Sequence, residues 1–174
     1  MTRSRLAVPF TLCLALAACL DLGPGQGARP VQPVATPDGL IDATDPQPIS
    51  EIAWRYGEAP WGRDSLGDPV INASFGELPY RVEFYGCSGG KECREIRFFS
   101  AFPPVGEERS AMPAKAIAEW NEDRRIGKAS LGEEGQAVLE HNVVLQGGVT
   151  EQNLDAVFDA WGAALNEFAA RTAN

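Results

Sequence analysis

The sequence is poor in the residues that carry most enzymatic and nucleic-acid chemistry. It has one histidine in 174 residues, His141, so a metal site or triad built on several histidines is excluded. Its 15 lysines and arginines are outnumbered by 24 aspartates and glutamates, and a formal charge of −9 provides no basic field for a phosphate backbone. The uncharged stretch from Leu6 to Leu20 has fifteen residues, fewer than the roughly 18 that a membrane span needs.

The amino terminus has the features of a bacterial secretion signal. Two arginines precede the apolar stretch, which ends in Leu16-Ala17-Ala18-Cys19. This tetrapeptide resembles the lipobox, in which the cysteine is lipidated and becomes the first residue of the mature protein. We therefore expect residues 1–18 to be a signal peptide and Cys19 to carry acyl chains that anchor the protein to a membrane, facing the periplasm. The outer membrane is mildly favoured. The alternatives are cleavage after Ala17, which gives a soluble periplasmic protein, and a retained apolar anchor.

A glycine- and proline-rich segment follows the predicted signal peptide. Residues 20–39 contain four glycines and four prolines, and no aromatic residue occurs from Leu20 to Thr44. Such a composition does not form a packed core, so residues 19–44 are interpreted as a flexible tether. The folded domain is expected to occupy residues 45–174.

The pattern of apolar residues in this domain predicts an α+β fold. Spacings of three and four residues predict three helices, and alternation predicts about five strands. The helices are predicted at 45–57 and 113–125 and from Thr150 onward, and the strands at 70–75, 80–85, 94–102, 127–131 and 136–145. A short strand is a further candidate within residues 58–64. The order α-β-β-β-α-β-β-α with short turns indicates a largely antiparallel sheet with helices packed against it.

Three blocks of the domain resemble one bacterial family. They are Phe84–Cys93 (FYGCSGGKEC), residues 119–129 (EWNEDRRIGKA) and Leu145–Thr150 (LQGGVT), in this order. On these blocks the domain is similar to the YbjN family, whose members are described as regulators of sensory transduction. The resemblance implies a fold similar to that of type III secretion chaperones and a non-enzymatic regulatory or protein-binding role. It supplies no catalytic residues. The chain departs from the usual sequence pattern of the YbjN family at residues 128–130 and at His141.

Cys87 and Cys93 are the two cysteines of the predicted domain. Five residues separate them at the end of a hairpin, and in a chain exported to an oxidising compartment we expect them to form a disulfide. A redox switch is the alternative. The spacing is not the C-x-x-C of dithiol enzymes, and two cysteines with one distant histidine do not make a zinc site. We expect no metal and no other cofactor.

His141 lies on a predicted strand and shares a face with Leu139, Val143 and Leu145. We interpret it as a partly buried structural histidine. A pH-sensing role is an alternative, because imidazole titrates near the pH of the envelope. A role as catalytic base is less favoured, since no serine or cysteine nucleophile occurs with it in a known motif.

Trp54 is the candidate interface residue. On a helical wheel it lies about 140° from Ile49, away from the apolar face of the first helix. An exposed tryptophan there would favour binding, because tryptophan is enriched at interface hot spots. The structural interpretation, in which Trp54 packs under the segment around Trp61, is the more favoured of the two.

Together these observations favour a lipid-anchored envelope protein whose domain binds another protein and has no chemistry of its own. A second copy of the chain is one candidate partner, and nucleic acid is not. The alternative function is a small-ligand sensor of the periplasm, with a pocket between the sheet and the helices.

Overall fold

Three helices and a six-stranded sheet make up the domain in the computed structural model, which describes residues 39–102 and 114–172. The elements are α1 (Pro46–Ala53), β1 (Trp61–Arg63), β2 (Pro69–Phe75), β3 (Leu78–Tyr85), β4 (Glu95–Phe102), α2 (Ala114–Asp123), β5 (Lys128–Leu131), β6 (Ala137–Val144) and α3 (Glu151–Thr172). Across these residues no helix is long and apolar enough to cross a membrane. The predicted signal peptide, Cys19 and most of the predicted tether lie outside the described residues.

The strands are ordered β1-β2-β3-β4-β6-β5 across the sheet, and every neighbouring pair is antiparallel. This confirms the predicted α+β class. The sheet has six strands rather than about five, because Trp61–Arg63 pairs with the start of β2 as a short edge strand. The element order is therefore α-β-β-β-β-α-β-β-α.

α1 begins as the sequence predicts and ends earlier. The Asp45 carboxylate accepts a hydrogen bond from the Gln47 N–H at 2.9 Å. Pro46 occupies the first turn, where its missing N–H is not needed. The helix stops before the predicted end at Gly57, and its apolar face is buried in the core.

The core lies between the sheet and the helices. Phe98, in the middle of β4, contacts Phe158 and Trp161 of α3, with ring centroids 4.9 and 5.4 Å apart. Tilted and edge-on aromatic pairs of this kind stabilise a core beyond the area that they bury. α2 contributes the fully buried Trp120, whose ring lies 4.9 Å from that of Phe168 and whose Nε1 donates to a backbone carbonyl at 2.7 Å.

The folded domain begins before the predicted boundary at Asp45. Ile41 and Val149 exchange backbone hydrogen bonds of 2.8 and 2.9 Å, and Ala43 has no exposed surface. The tether predicted over residues 19–44 therefore ends sooner. The glycine- and proline-rich composition has stopped by this point, and the apolar side chains that follow pack against residues distant in the sequence.

A glycine in the middle of α3 allows the sheet to approach the helix closely. The ring of Phe75, at the end of β2, lies over Gly162, so that a Cβ on Gly162 would be 1.9 Å from the ring atom Cε2. The same ring stacks on Tyr56 with centroids 5.3 Å apart. Glycine is needed at this position because any side chain would occupy the space of the ring.

Candidate functional site

The helices α1 and α3 pack on one face of the sheet, and the opposite face carries charged and aromatic side chains. Near the centre of this second face, the Arg97 guanidinium forms salt bridges with Glu83 at 2.5 Å and with Glu140 at 3.4 Å. It also lies 5.0 and 5.3 Å from the ring centroids of Tyr85 and Phe99. Burial and a hydrogen bond to Glu83 raise the pKa of Tyr85. These contacts join β3, β4 and β6 and fix the side chains of this face.

A concave region of about 490 Å³ lies on the same face, over β2, β3 and β4. Its cation is Arg81, which pairs with Glu83 at 2.6 Å and lies 5.2 Å from the ring centroid of Phe99. The cavity extends to Glu58 and Pro60, the residues that lead into β1. It therefore borders the outermost strand of the sheet.

β1 has free backbone groups on its outer side. The Pro60 carbonyl accepts from the Asn72 N–H at 3.0 Å, so the even-numbered residues of this segment bond to β2. In an antiparallel ladder the intervening residues direct their N–H and C=O groups to the other side. Trp61 and Arg63 therefore present backbone donors and acceptors at the edge, without a partner among the residues that the structure describes.

The opposite edge of the sheet is closed by a side chain. The carboxamide of Asn121, on α2, accepts from the Ala129 N–H at 2.8 Å and donates to the Ala129 carbonyl at 3.0 Å. These are the two bonds that a neighbouring strand would make, so the middle of β5 cannot pair with another chain while Asn121 holds it. The β5 edge of the sheet is blocked by Asn121, whereas the β1 edge has free backbone N–H and C=O groups.

Two exposed tryptophans lie near the free edge at β1. The Trp61 side chain is 41% exposed, and its Nε1 donates to the Gln47 side chain of α1 at 2.8 Å. Trp54, just after α1, is 53% exposed. Trp54 is seven positions after Gln47 in the sequence, which places the two residues two turns apart on the same side of the helix. Trp54 is thus exposed and not packed under the segment around Trp61, the arrangement that the sequence favoured, whereas its role at an interface stays a prediction.

The sequence pattern indicates Trp61 only as a packing partner for Trp54 and not as a surface residue. Its exposure follows from the position of β1 at the edge of the sheet, which depends on the order of the strands. No pattern within the sequence indicates that order.

The structure joins Cys87 and Cys93 in the predicted disulfide, which closes the loop between β3 and β4. Cys93 is 3% exposed. The same loop contacts the end of β1, since the Arg63 guanidinium donates to the Gly90 carbonyl at 2.9 Å. The disulfide loop therefore lies beside the free edge. A redox role for this bond stays a hypothesis.

His141 lies on β6 and is half-buried. Its ring centroid is 6.4 Å from that of Phe98, and burial lowers its pKa. Within residues 39–102 and 114–172, no three histidine, cysteine, aspartate or glutamate side chains are grouped closely enough to hold a metal ion.

Comparison with known proteins identifies the family. The YbjN family model, described as "Putative bacterial sensory transduction regulator", matches residues 51–172. None of the curated proteins matches the chain significantly. Among solved structures, that of "YbjN, a putative transcription regulator from E. coli" is similar with a TM-score of 0.51 at 11% identity, covering 75% of this chain and 95% of the other.

Two chaperone structures are also similar to the chain. The HopA1–SchA chaperone–effector complex has a TM-score of 0.48 at 10% identity and covers 72% of this chain and 90% of the other. The Yersinia pestis type III secretion chaperone SycH, in complex with a stable fragment of YscM2, has a TM-score of 0.44 at 10% identity, with coverages of 70% and 96%. The family match extends over most of the 174 residues and includes every helix and strand except the first residues of α1, so the chain belongs to the YbjN family.

Proposed function

We propose that this protein is a membrane-anchored, non-enzymatic regulator of the bacterial cell envelope, and that its domain binds an extended segment of another protein along the free edge of β1. The observation that carries the proposal is the set of unpaired backbone groups at Trp61 and Arg63, beside two exposed tryptophans. Strand addition at an open sheet edge is a common mode of peptide recognition, in which backbone hydrogen bonds give affinity and side-chain contacts give specificity.

Backbone pairing and side-chain contacts act together at this surface. A strand added to β1 directs alternate side chains to the two faces of the sheet. On the helix side they reach the ring of Trp61, and on the other side they approach the cavity that begins at Pro60. Tryptophan offers a large contact area and is enriched among the residues that dominate binding energy. We therefore expect Trp54 and Trp61 to contribute most of the side-chain affinity.

The charge of the domain constrains the partner. The chain carries a formal charge of −9, and Glu51 and Glu58 are exposed near the free edge. These two carboxylates disfavour an acidic segment. We expect the partner segment to be apolar at alternate positions and neutral or basic at the others.

Photocrosslinking in intact cells can capture the partner, with a photoreactive aromatic residue in place of Trp61. Hydrogen exchange on the purified complex then tests the mode of binding. The amides of Trp61 and Arg63 should gain protection in the complex, whereas the Ala129 amide, which Asn121 already binds, should not change. A bound partner that leaves the first two amides unprotected would show that strand addition does not occur.

Substitutions test the side-chain contribution. Trp54→Ala and Trp61→Ala should each weaken partner binding by about tenfold, since loss of an interface tryptophan commonly costs more than 1 kcal/mol. Val144→Ala is the matched control, because Val144 is a large apolar residue that is 67% exposed on β6, on the other side of the sheet order from β1. Unchanged affinity in both tryptophan variants would place the interface elsewhere.

The anchoring part of the proposal rests on the sequence around Cys19. Labelling of cells with a clickable fatty acid should mark the wild-type protein in the membrane fraction, and a density gradient should place it in the outer membrane. Cys19→Ala should be unlabelled. Periplasmic, unlabelled wild-type protein would instead support cleavage after Ala17. This result would leave the binding of a partner at β1 to be decided by the experiments above.

A further inference from the structure

A concave site of about 260 Å³, here called the α2–β5 notch, lies where the chain turns from α2 into β5. One wall is formed by the turn, with Arg124, Arg125 and Lys128. The other wall is the edge of β6 at His141 and Asn142. Residues from two segments distant in the sequence thus meet in one concave site.

Three cations line the α2–β5 notch, although the chain as a whole is acidic. Arg124 is held in a fixed position, because its guanidinium donates two hydrogen bonds to the Glu167 carboxylate and lies 5.7 Å from the Trp120 ring centroid. Arg125 and Lys128 are exposed, and neither has a carboxylate within ion-pair distance in the described part of the chain. Cations that are not neutralised by the protein attract anions.

β6 adds a backbone donor to the same site. β5 begins at Lys128, which pairs with Glu140, so Asn142 extends beyond the last pair of the two strands. The Leu145 N–H donates to the Arg94 carbonyl of the neighbouring segment, so the odd-numbered residues of β6 bond to the β4 side and the even-numbered ones face the β5 side. The Asn142 N–H therefore points toward the notch, where the described residues place no strand opposite it.

We propose that the α2–β5 notch binds a small oxyanion, the phosphate or carboxylate group of a free metabolite. Arg125 and Lys128 supply the unneutralised charge, Arg124 supplies a fixed guanidinium, and the Asn142 N–H supplies a neutral donor. The acid in the lining, Glu140, is already engaged by Arg97 on the sheet, with 3.4 Å between the nitrogen and oxygen atoms. The notch lies at the β5 edge of the sheet, so this ligand site is at the opposite edge from the proposed partner site at β1.

Titration of the full chain with inorganic phosphate and, separately, with acetate tests the proposal by NMR and calorimetry, at an ionic strength held constant with chloride. At least one anion should bind saturably and shift the Asn142 amide and His141 ring resonances. Arg125→Gln and Lys128→Gln should each weaken binding by about tenfold, as expected for loss of a charged hydrogen bond. Lys91→Gln, which removes an exposed lysine from the disulfide loop, is the matched control and should not change the affinity.

The two anions distinguish the chemical source of the ligand. Binding of phosphate alone indicates a phosphorylated ligand, binding of acetate alone indicates a carboxylic acid, and binding of both indicates recognition of the oxyanion itself. Absence of saturable binding for both anions overturns the proposal. Equal weakening by Lys91→Gln also overturns it, because the effect would then reflect net charge rather than the notch.

Discussion

Gly162→Ala tests the close contact between α3 and the sheet. The added Cβ would lie 1.9 Å from Phe75 Cε2 and 2.3 Å from two neighbouring ring atoms, so the ring must move. Its freedom is limited because it stacks on Tyr56 at 5.3 Å. Overpacking of this kind costs about 1–3 kcal/mol, and the change from glycine to alanine inside a helix gains about 1 kcal/mol. We expect the free energy of unfolding to fall by about 1 kcal/mol, and by at most about 2 kcal/mol.

Equilibrium unfolding in urea, followed by circular dichroism, measures this change. Ala163→Gly is the matched control, because Ala163 is the next residue of α3 and is exposed. Its replacement reports the helix-propensity contribution alone, about 1 kcal/mol. Phe75→Ala removes the ring. In that background Gly162→Ala should stabilise the protein by about 1 kcal/mol, because the propensity gain remains without the clash.

The reversal of sign between the two backgrounds is the decisive result. A double-mutant cycle separates the coupling between Gly162 and Phe75 from their individual effects. If Gly162→Ala has the same effect with and without the ring, the ring does not pack on Gly162. The docking of α3 on β2 described above would then be wrong.

Three other contacts make predictions that standard assays can check. The Ser50 hydroxyl donates to the buried backbone carbonyl of Ala59 at 2.6 Å. Ser50→Ala should lower the free energy of unfolding in urea by about 1–3 kcal/mol, and an unchanged value would contradict the bond. Reduction of the Cys87–Cys93 disulfide opens a short loop and should lower the free energy of unfolding by about 2 kcal/mol. The midpoint of urea unfolding, measured with and without reductant, reports this change. An unshifted midpoint would show that the bond does not stabilise the fold. Hydrogen bonds from Arg124 lower the pKa of Glu167 from 4.5 to about 2. The contribution of the ionised Glu167 carboxylate to the free energy of unfolding is therefore complete above pH 4.5 and is lost as the pH falls toward about 2. In an NMR titration, Arg124→Gln should raise this pKa toward its ordinary value, and an unaltered titration would refute the pairing.

Elements with one clear apolar face were predictable from the sequence, because only one orientation buries that face. α3 starts directly after Thr150, whose hydroxyl accepts from the Asn153 N–H at 3.2 Å, and Trp161 is fully buried as its spacing predicts. Asp45 caps α1 as expected. Trp54 is exposed because it lies off the apolar face of α1.

Features that depend on the order of strands were not predictable. β1 has three residues with no buried position, so its pattern leaves it only a candidate strand, and its place at the edge follows from pairing with β2. Asn121 and Ala129 lie on different elements, and no local pattern shows that one side chain occupies the backbone groups of the other. The cations of the α2–β5 notch are neighbours in the sequence, whereas Asn142 joins them only through the pairing of β5 with β6.

The difference between the two edges of the sheet limits how copies of this chain can polymerise. A filament built by strand pairing requires two usable edges in each molecule, one for the preceding copy and one for the next. Asn121 occupies both outward groups of Ala129 and so removes the middle of β5 from such pairing. Copies that met through β1 would then form a pair in which each remaining β5 edge is blocked at Ala129. By occupying the backbone groups of Ala129, the Asn121 side chain disfavours the open-ended strand pairing that a fibre requires.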